Sequence, residues 1–428
     1  MLLRCVGTTG LLLVLAALCP GCGKPARSRP NLLFISVDAL RADRLGAWGY
    51  GRPTSAHIDA FAREAVIFEN AQAQSSWTLP ALASVMTSLY SSTHRCWTFL
   101  DRLDEDYETL AERLHAEGWR TAAVASHVFL GRRYGLDQGF SSYDESLVRE
   151  NILTSHEAIT SQQVTQKGLR WLAELPDDAG PWFLWLHYFD PHALYLAHEG
   201  VSAAFGTQKA QDLYDGEIAF TDQAIGQLLA GLASLGMAEH TVVFFFADHG
   251  EEFGDHGGTA HGHSLHSELL HIPLIVRAPG FAPRRVSAPV RQVDVMPTAL
   301  ELLGLPVPEG LEGTSLVPAM RGEPLPDLPV LGELRQSPLH RSDSLERGGW
   351  KLMVDRAQKT VALYDLTRDP EEHEDVAASH PERVREMRNE LESLVARARR
   401  RADSYREPEP LTLPDAERES LRDLGYVE

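Results

Sequence analysis

Apolar residues along this chain collect in short unbroken runs, separated by stretches in which they recur at helical spacing. Asn31-Leu32-Leu33-Phe34-Ile35-Ser36-Val37 is nearly continuous, as are Trp182-Phe183-Leu184-Trp185-Leu186-His187, Thr241-Val242-Val243-Phe244-Phe245-Phe246-Ala247 and the run from His271 to Arg277. Runs without alternation mark strands covered on both faces, the habit of parallel sheets. Residues 65–69 and 121–126 read as two further strands. Helical patterns occupy 54–64, 104–118, 155–175 and 212–235, with Gly118 as a stop. The alternation predicts an α/β fold with a large, mostly parallel central sheet flanked by helices.

The texture changes beyond Gly313. Short strand patterns at 328–334, 350–354 and 361–366, set among proline and glycine, predict a small antiparallel sheet. A charged helix follows at 380–401. The chain therefore divides into a main domain over 31–312, a C-terminal subdomain over 313–375 and a helical extension over 376–428.

Residues 1–23 read as a signal peptide: Arg4 supplies the positive start, 11–18 form a short apolar core, and Cys19-Pro20-Gly21-Cys22 closes it. The core is too short to span a bilayer comfortably. Gly21-Cys22 resembles a bacterial lipoprotein cleavage site, which would place a lipid on Cys22, although Cys19-Pro20 stands where leucine and a small residue are usual. Residues 24–30 are then a linker. Export to a periplasmic or extracellular space is expected, with membrane attachment only through Cys22.

Composition adds three constraints. A hydrophobic content of 43% and a charged content of 23% suit a globular chain with a sizeable core. A formal net charge of −20 and a pI near 5.3 argue against a general nucleic-acid binder, which needs a basic face. Only Cys22 and Cys96 would survive processing, so no disulfide framework is expected.

Candidate chemistry gathers at one helix start and three strand ends. In Ser75-Ser76-Trp77-Thr78-Leu79-Pro80, Thr78 can cap a helix and Pro80 fits its first turn. Such a start also suits a phosphate or sulfate oxygen. The three apolar strands end at Asp38, at His187-Tyr188-Phe189-Asp190-Pro191-His192 and at Asp248-His249-Gly250-Glu251. In open α/β sheets, ligands bind beyond the carboxyl ends of the strands, so these ends should share one cleft. His249, His256, His261, His263, His266 and His271 follow closely. Imidazoles beside carboxylates suit either a metal site or an anion pocket, and spacing alone leaves both open.

Together these residues resemble the sulfatases, within the alkaline-phosphatase superfamily. That family opens on an apolar strand ending in a metal-binding aspartate, like Asp38, and places its nucleophile at a helix start some forty residues on, like Thr78. A Pro-His element, like Pro191-His192, supplies a histidine for the substrate oxyanion. An Asp-Asn or Asp-His pair, like Asp248-His249, completes the metal site. His271-Ile272-Pro273-Leu274, Val293-Asp294-Val295-Met296-Pro297-Thr298, Trp350-Lys351-Leu352 and Leu363-Tyr364-Asp365-Leu366 also resemble family phrases.

The departures are informative. Sulfatases carry Cys-x-Pro-x-Arg, or serine for cysteine, and oxidise that residue to formylglycine; here the positions read Thr78-Leu79-Pro80-Ala81-Leu82. Threonine cannot yield an aldehyde, because its β-carbon already carries a methyl group. Ala39 replaces the second aspartate, and no lysine matches the leaving-group acid. Threonine nucleophiles occur in related nucleotide pyrophosphatases, phosphoethanolamine transferases and glycerol-phosphate transferases.

The resemblance therefore implies a metal-dependent hydrolase or transferase of sulfate or phosphate esters, with phosphoryl chemistry favoured. It implies Asp38, Thr78, Asp248 and His249 as ligands of one divalent ion. Zn²⁺ or Mn²⁺ is favoured by three oxygens and one nitrogen, and Ca²⁺ stays open. His192 would meet the non-bridging oxygens, and His261 or His263 would serve as general acid. A second metal could be held by Asp190 with these histidines. The substrate would be a small-molecule, glycan or lipid ester. The alternative is an inactive member of the fold that binds an anionic glycan or lipid.

Overall fold

The computed structural model describes residues 29–412 apart from 150–158 and 177. The signal peptide at 1–23, Cys22, most of the linker and the tail from 413 lie outside the described residues, as does the start of the helix expected from 155.

Fifteen strands are found among the described residues: β1 (Asn31–Val37), β2 (Val66–Gln72), β3 (Arg120–Val124), β4 (Ser142–Asp144), β5 (Trp182–Tyr188), β6 (Thr241–Ala247), β7 (Glu252–Phe253), β8 (Thr259–Ala260), β9 (His271–Arg277), β10 (Arg284–Val286), β11 (Val290–Arg291), β12 (Val330–Leu334), β13 (Ser342–Arg347), β14 (Trp350–Asp355) and β15 (Thr360–Asp365). The large sheet runs β10-β2-β9-β6-β1-β5-β3-β4, with β11 also on β2. Pairings along β6-β1-β5-β3-β4 are parallel, whereas β9 is antiparallel to both of its neighbours. All seven positions of β1, β5 and β6 are buried, as their unbroken apolar runs require. Phe34 at the centre packs on Phe183, Phe244 and Phe246 with ring centroids 5.1–5.5 Å apart.

Register places the ends of the parallel strands side by side. Val37 lies opposite Tyr188 on one side and Ala247 on the other, so the chain leaves β1, β5 and β6 at the same edge. The helix Thr78–Thr87 is buried along its whole length, and the helix Ala210–Ser234 lies along the helix Ser161–Ala173.

The second sheet has four antiparallel strands, β12-β13-β14-β15, where three were expected. The missed strand is β13, Ser-Asp-Ser-Leu-Glu-Arg, which lacks an apolar pattern because its buried acids are met from elsewhere. Asp343 is bound by Arg335 and Arg356. The helix Pro381–Ala402 turns Met387, Leu391, Leu394, Val395 and Ala398 onto this sheet as one stripe. Among the described residues, no helix is long and apolar enough to cross a membrane.

Candidate active site

Asp38 leaves β1, and Asp248 and His249 leave β6, at neighbouring points of the shared edge. A second-aspartate position is taken by Ala39, which adopts a left-handed φ of 53°. Its N–H donates to Asp248 Oδ1 at 3.1 Å, and the His249 N–H donates to the same oxygen at 2.9 Å. Two strand ends are thereby tied through one carboxylate oxygen. The other oxygen, Asp248 Oδ2, has no hydrogen-bond partner, and neither does Asp38 Oδ1; both side chains are fully buried.

The glycine after His249 is needed for space rather than for an unusual turn. A Cβ on Gly250 would fall 2.0 Å from the Glu268 carbonyl oxygen. This packing holds the His249 ring, whose Nδ1 donates to the Gly250 carbonyl at 2.8 Å. Nε2 is left as the unprotonated nitrogen. Burial, with the neighbouring His261, lowers the His249 pKa to about 3, so the ring is neutral.

Thr78 closes the group. Its position differs from the expected cap: Trp77 is the residue before the helix, Thr78 is the first helical residue, and no side-chain cap bond forms. The hydroxyl is therefore available, and Oγ1 lies 3.4 Å from His249 Nε2. Around that nitrogen stand Asp248 Oδ2 at 3.5 Å and Asp38 Oδ1 at 3.6 Å. Ligands held about 2.1 Å from a tetrahedral metal are separated by roughly 3.4 Å, so the donor spacing fits a small divalent cation. Two buried carboxylate oxygens without partners are costly as anions unless a cation or a proton meets them. Burial, and then the charges of Asp248 and Glu251, push the Asp38 carboxyl well above its ordinary range.

Further imidazoles surround this centre. His187 Nε2 is 3.2 Å and His127 Nε2 3.8 Å from Asp38 Oδ2. Burial pushes His187 down to about 4. His192 stacks on Phe189 at 4.7 Å, with its Nδ1 directed to the Ala193 carbonyl at 2.6 Å. The His261 ring lies 4.4 Å from that of His249 and 4.8 Å from that of His192. Its Nδ1 bonds Glu251 Oε1 at 2.9 Å. Burial works to lower the His261 pKa, but Glu251 and Asp248 outweigh it and the net shift is upward.

The structure thus brings together Asp38, Thr78, Asp248, His249, His192 and His261. It does not bring His263, which binds Glu252 Oε2 at 2.7 Å and lines a separate cleft with Met353 and Tyr364. Gly262, at φ +78°, turns the chain between the two histidines. Asp190 does not meet these histidines either; it lies with His198 and Glu217. The sequence reading missed His127, which follows β3 by three residues and could have been found as a fourth strand end. It also missed the pairing role of Glu251.

A cleft of about 1080 Å³ adjoins the His261 loop, its lining carrying charges of both signs from Arg95, Arg335, Arg341 and Arg399 and from Asp101, Asp403 and Glu407. Gln336 in its wall packs on Gly262, where a Cβ would lie 2.5 Å from the amide nitrogen.

The sulfatase family profile matches residues 30–305. The chain belongs to the sulfatase family. It is 25% identical to arylsulfatase K of Gallus gallus, over 90% of this chain and 86% of that enzyme. It is 26% identical to the ulvan-active sulfatase of Formosa agariphila, over 68% and 64%. The fold is shared with the crystal structure of a phosphonate monoester hydrolase of Agrobacterium radiobacter, at a TM-score of 0.73, 22% identity and coverage of 86% and 96%. It is shared also with Ps i-CgsB in complex with k-i-k-neocarrahexaose, at a TM-score of 0.74, 20% identity and coverage of 86% and 93%. The large, mostly parallel sheet with a separate small antiparallel sheet agrees with the alkaline-phosphatase-like architecture expected, and ester hydrolysis is the chemistry of this sulfatase family.

Proposed function

We propose that this sulfatase-family protein hydrolyses phosphate or sulfate esters through Thr78 as nucleophile, with phosphoryl transfer favoured. The observation that carries the reading is the position of His249 Nε2, 3.4–3.6 Å from Thr78 Oγ1, Asp248 Oδ2 and Asp38 Oδ1. Asp38, Asp248, His249 and Thr78 would hold one divalent cation, which when bound lowers the pKa of a coordinated hydroxyl and neutralises charge on the reacting ester. Zn²⁺ or Mn²⁺ suits the mixed oxygen and nitrogen donors.

Thr78, its hydroxyl proton released to solvent beforehand, attacks phosphorus through Oγ1 as the alkoxide, and the bond to the leaving alcohol breaks. His192 would meet the non-bridging oxygens, an Nε2–H on it donating to one of them, and His127, whose ring centroid is 5.3 Å from that of His192, would join it there. His261, oriented through Nδ1 by Glu251, passes its Nε2 proton to the departing alkoxide. The resulting threonine ester has no second hydroxyl on Cβ through which to expel its cargo by carbon–oxygen cleavage. Water must therefore attack phosphorus, with His261 taking its proton, and Thr78 leaves as the alkoxide, ready for the next attack. Leu82, fully buried, provides no cation at the position where the family's arginine stands. The relatives whose names specify ulvan and neocarrahexaose support a glycan as the rest of the substrate.

Purified, metal-loaded protein offered aryl phosphomonoesters, phosphodiesters, phosphonate monoesters and sulfates tests this reading. Turnover with a phosphoryl group trapped on Thr78 is expected. No turnover on any member of the panel, with metal bound, would leave a protein that only binds anionic ligands.

A further inference from the structure

Outside the candidate active site, a second buried group has the make-up of a metal centre. Asp190, His198 and Glu217 each place one donor atom within 4.8 Å of the others, and all three residues are buried. Two carboxylates and one imidazole face one another. His198 Nε2 is 3.4 Å from Glu217 Oε1, and the side chains are 3% and 2% exposed. Neither His198 Nε2 nor Glu217 Oε2 has a hydrogen-bond partner. Both therefore aim an unsatisfied polar atom into the same dry space, which is costly unless something occupies it.

The surroundings are built to hold these donors still. One Asp190 oxygen accepts from the Thr160 and Ser161 N–H groups at 3.0 and 2.8 Å and from the Ser161 hydroxyl at 2.7 Å. The His198 ring lies flat on Phe220, centroids 3.9 Å apart, and the His198 backbone N–H donates to Ser202 Oγ at 2.8 Å. Glu217 Oε1 accepts from the Leu196 N–H at 2.8 Å. Orientation of ligands by surrounding hydrogen bonds and packing is characteristic of metal sites.

We infer that Asp190, His198 and Glu217 form a second divalent-cation site, separate from the one at Asp38, Asp248 and His249. The one-nitrogen, two-carboxylate set suits Zn²⁺ with an open position for water, and its two negative charges balance a divalent ion. The site joins the loop after β5 to the helix Ala210–Ser234, on which Glu217 lies. His192 belongs to that loop, so the ion acts as a positioning element, fixing the segment that presents His192 to the substrate. The inference stands independently of the chemistry at Thr78.

The test is metal content of the full chain, stripped with a chelator, reloaded with Zn²⁺ and dialysed, then read by mass spectrometry. The wild type should hold about two equivalents, and Glu217→Gln and His198→Asn should each lose about one. Asp248→Asn should lose the other equivalent and keep the one at Glu217. If the Thr78 site holds no metal, the wild type should still carry one equivalent that Glu217→Gln abolishes. Equal zinc content in wild type and Glu217→Gln would overturn the inference and leave a buried proton as the occupant. If the variants do not fold, wild-type crystals soaked in Zn²⁺ decide: an anomalous peak among the three residues is expected, and its absence overturns the site.

Discussion

Thr78 Oγ1 and His249 Nε2 lie 3.4 Å apart, although the two residues belong to a buried helix start and the end of a central strand. The contact exists because the hydroxyl makes no cap bond and the imidazole has spent its other nitrogen on the Gly250 carbonyl. Each residue therefore points its one remaining polar atom at the space bounded by Asp38 and Asp248. A helix N-terminus adds exposed N–H groups and a positive dipole end to that space.

If Thr78 is the nucleophile, Thr78→Ala should lower kcat by more than about 10³-fold, the scale seen when a covalent catalyst is removed. Thr78→Ser keeps the oxygen and should retain measurable turnover. Circular dichroism should show both variants folded, since deleting one buried hydroxyl and methyl costs only about 1–2 kcal/mol. Unchanged kcat in Thr78→Ala would remove the residue from its role.

Removing a charge next to Thr78 should be felt in metal affinity before it is felt in folding. Asp248→Asn keeps the shape but loses the anionic Oδ2, while still offering an oxygen to the Ala39 N–H. Affinity should fall by more than about 10-fold, measured by competition with a chromogenic chelator. Unaltered affinity would place the ion elsewhere.

How much of this site could be read beforehand follows from where its residues sit relative to the strands. Asp38 and Asp248-His249 come directly after buried apolar runs, and β1, β6 and β9 end where those runs end. His127 was obscured because two irregular residues, Ala125 and Ser126, separate it from β3. His261 and His263 look equivalent in sequence; only the positive φ of Gly262 turns one toward Glu251 and the other toward Glu252. The helix expected from 104 begins at Leu110, because Thr109 and Glu112 form a reciprocal capping box there. β13 was hidden for a related reason, its buried Asp343 being neutralised by Arg335 and Arg356, which lie outside the strand itself. Propensity and periodicity report the elements, whereas partners supplied by the tertiary fold decide which polar residues can be buried.

As the proposed general acid, His261 should matter in proportion to how poor the leaving group is. His261→Asn should cost about 10²–10⁴-fold on an alkyl phosphate ester and far less on a 4-nitrophenyl ester, whose alcohol leaves without a proton. Glu251→Gln should show the same leaving-group dependence in weaker form, because it disturbs only the orientation of the ring. Equal losses on both esters would assign His261 to substrate binding instead.

The junction between the two sheets should set the acid limit of stability. Glu372 is buried and bonded to Lys351 Nζ at 2.7 Å on β14, to His266 Nδ1 at 3.0 Å and to the Ser267 N–H at 3.2 Å. Burial alone would raise its pKa, but Lys351, His266 and Ser267 outweigh burial and lower it to about 2 from 4.5. A carboxylate depressed in the folded state contributes stability that is full above pH 4.5 and is lost as the pH falls toward 2. A shift of this size corresponds to roughly 3 kcal/mol. Urea unfolding of the wild type should therefore weaken across that window. Glu372→Gln should be less stable at neutral pH, where Lys351 is left buried without its partner. Its stability should also change less between pH 4.5 and 2, because the titrating group is gone. Matching acid profiles for the two proteins would move the acid-sensitive contact away from this junction.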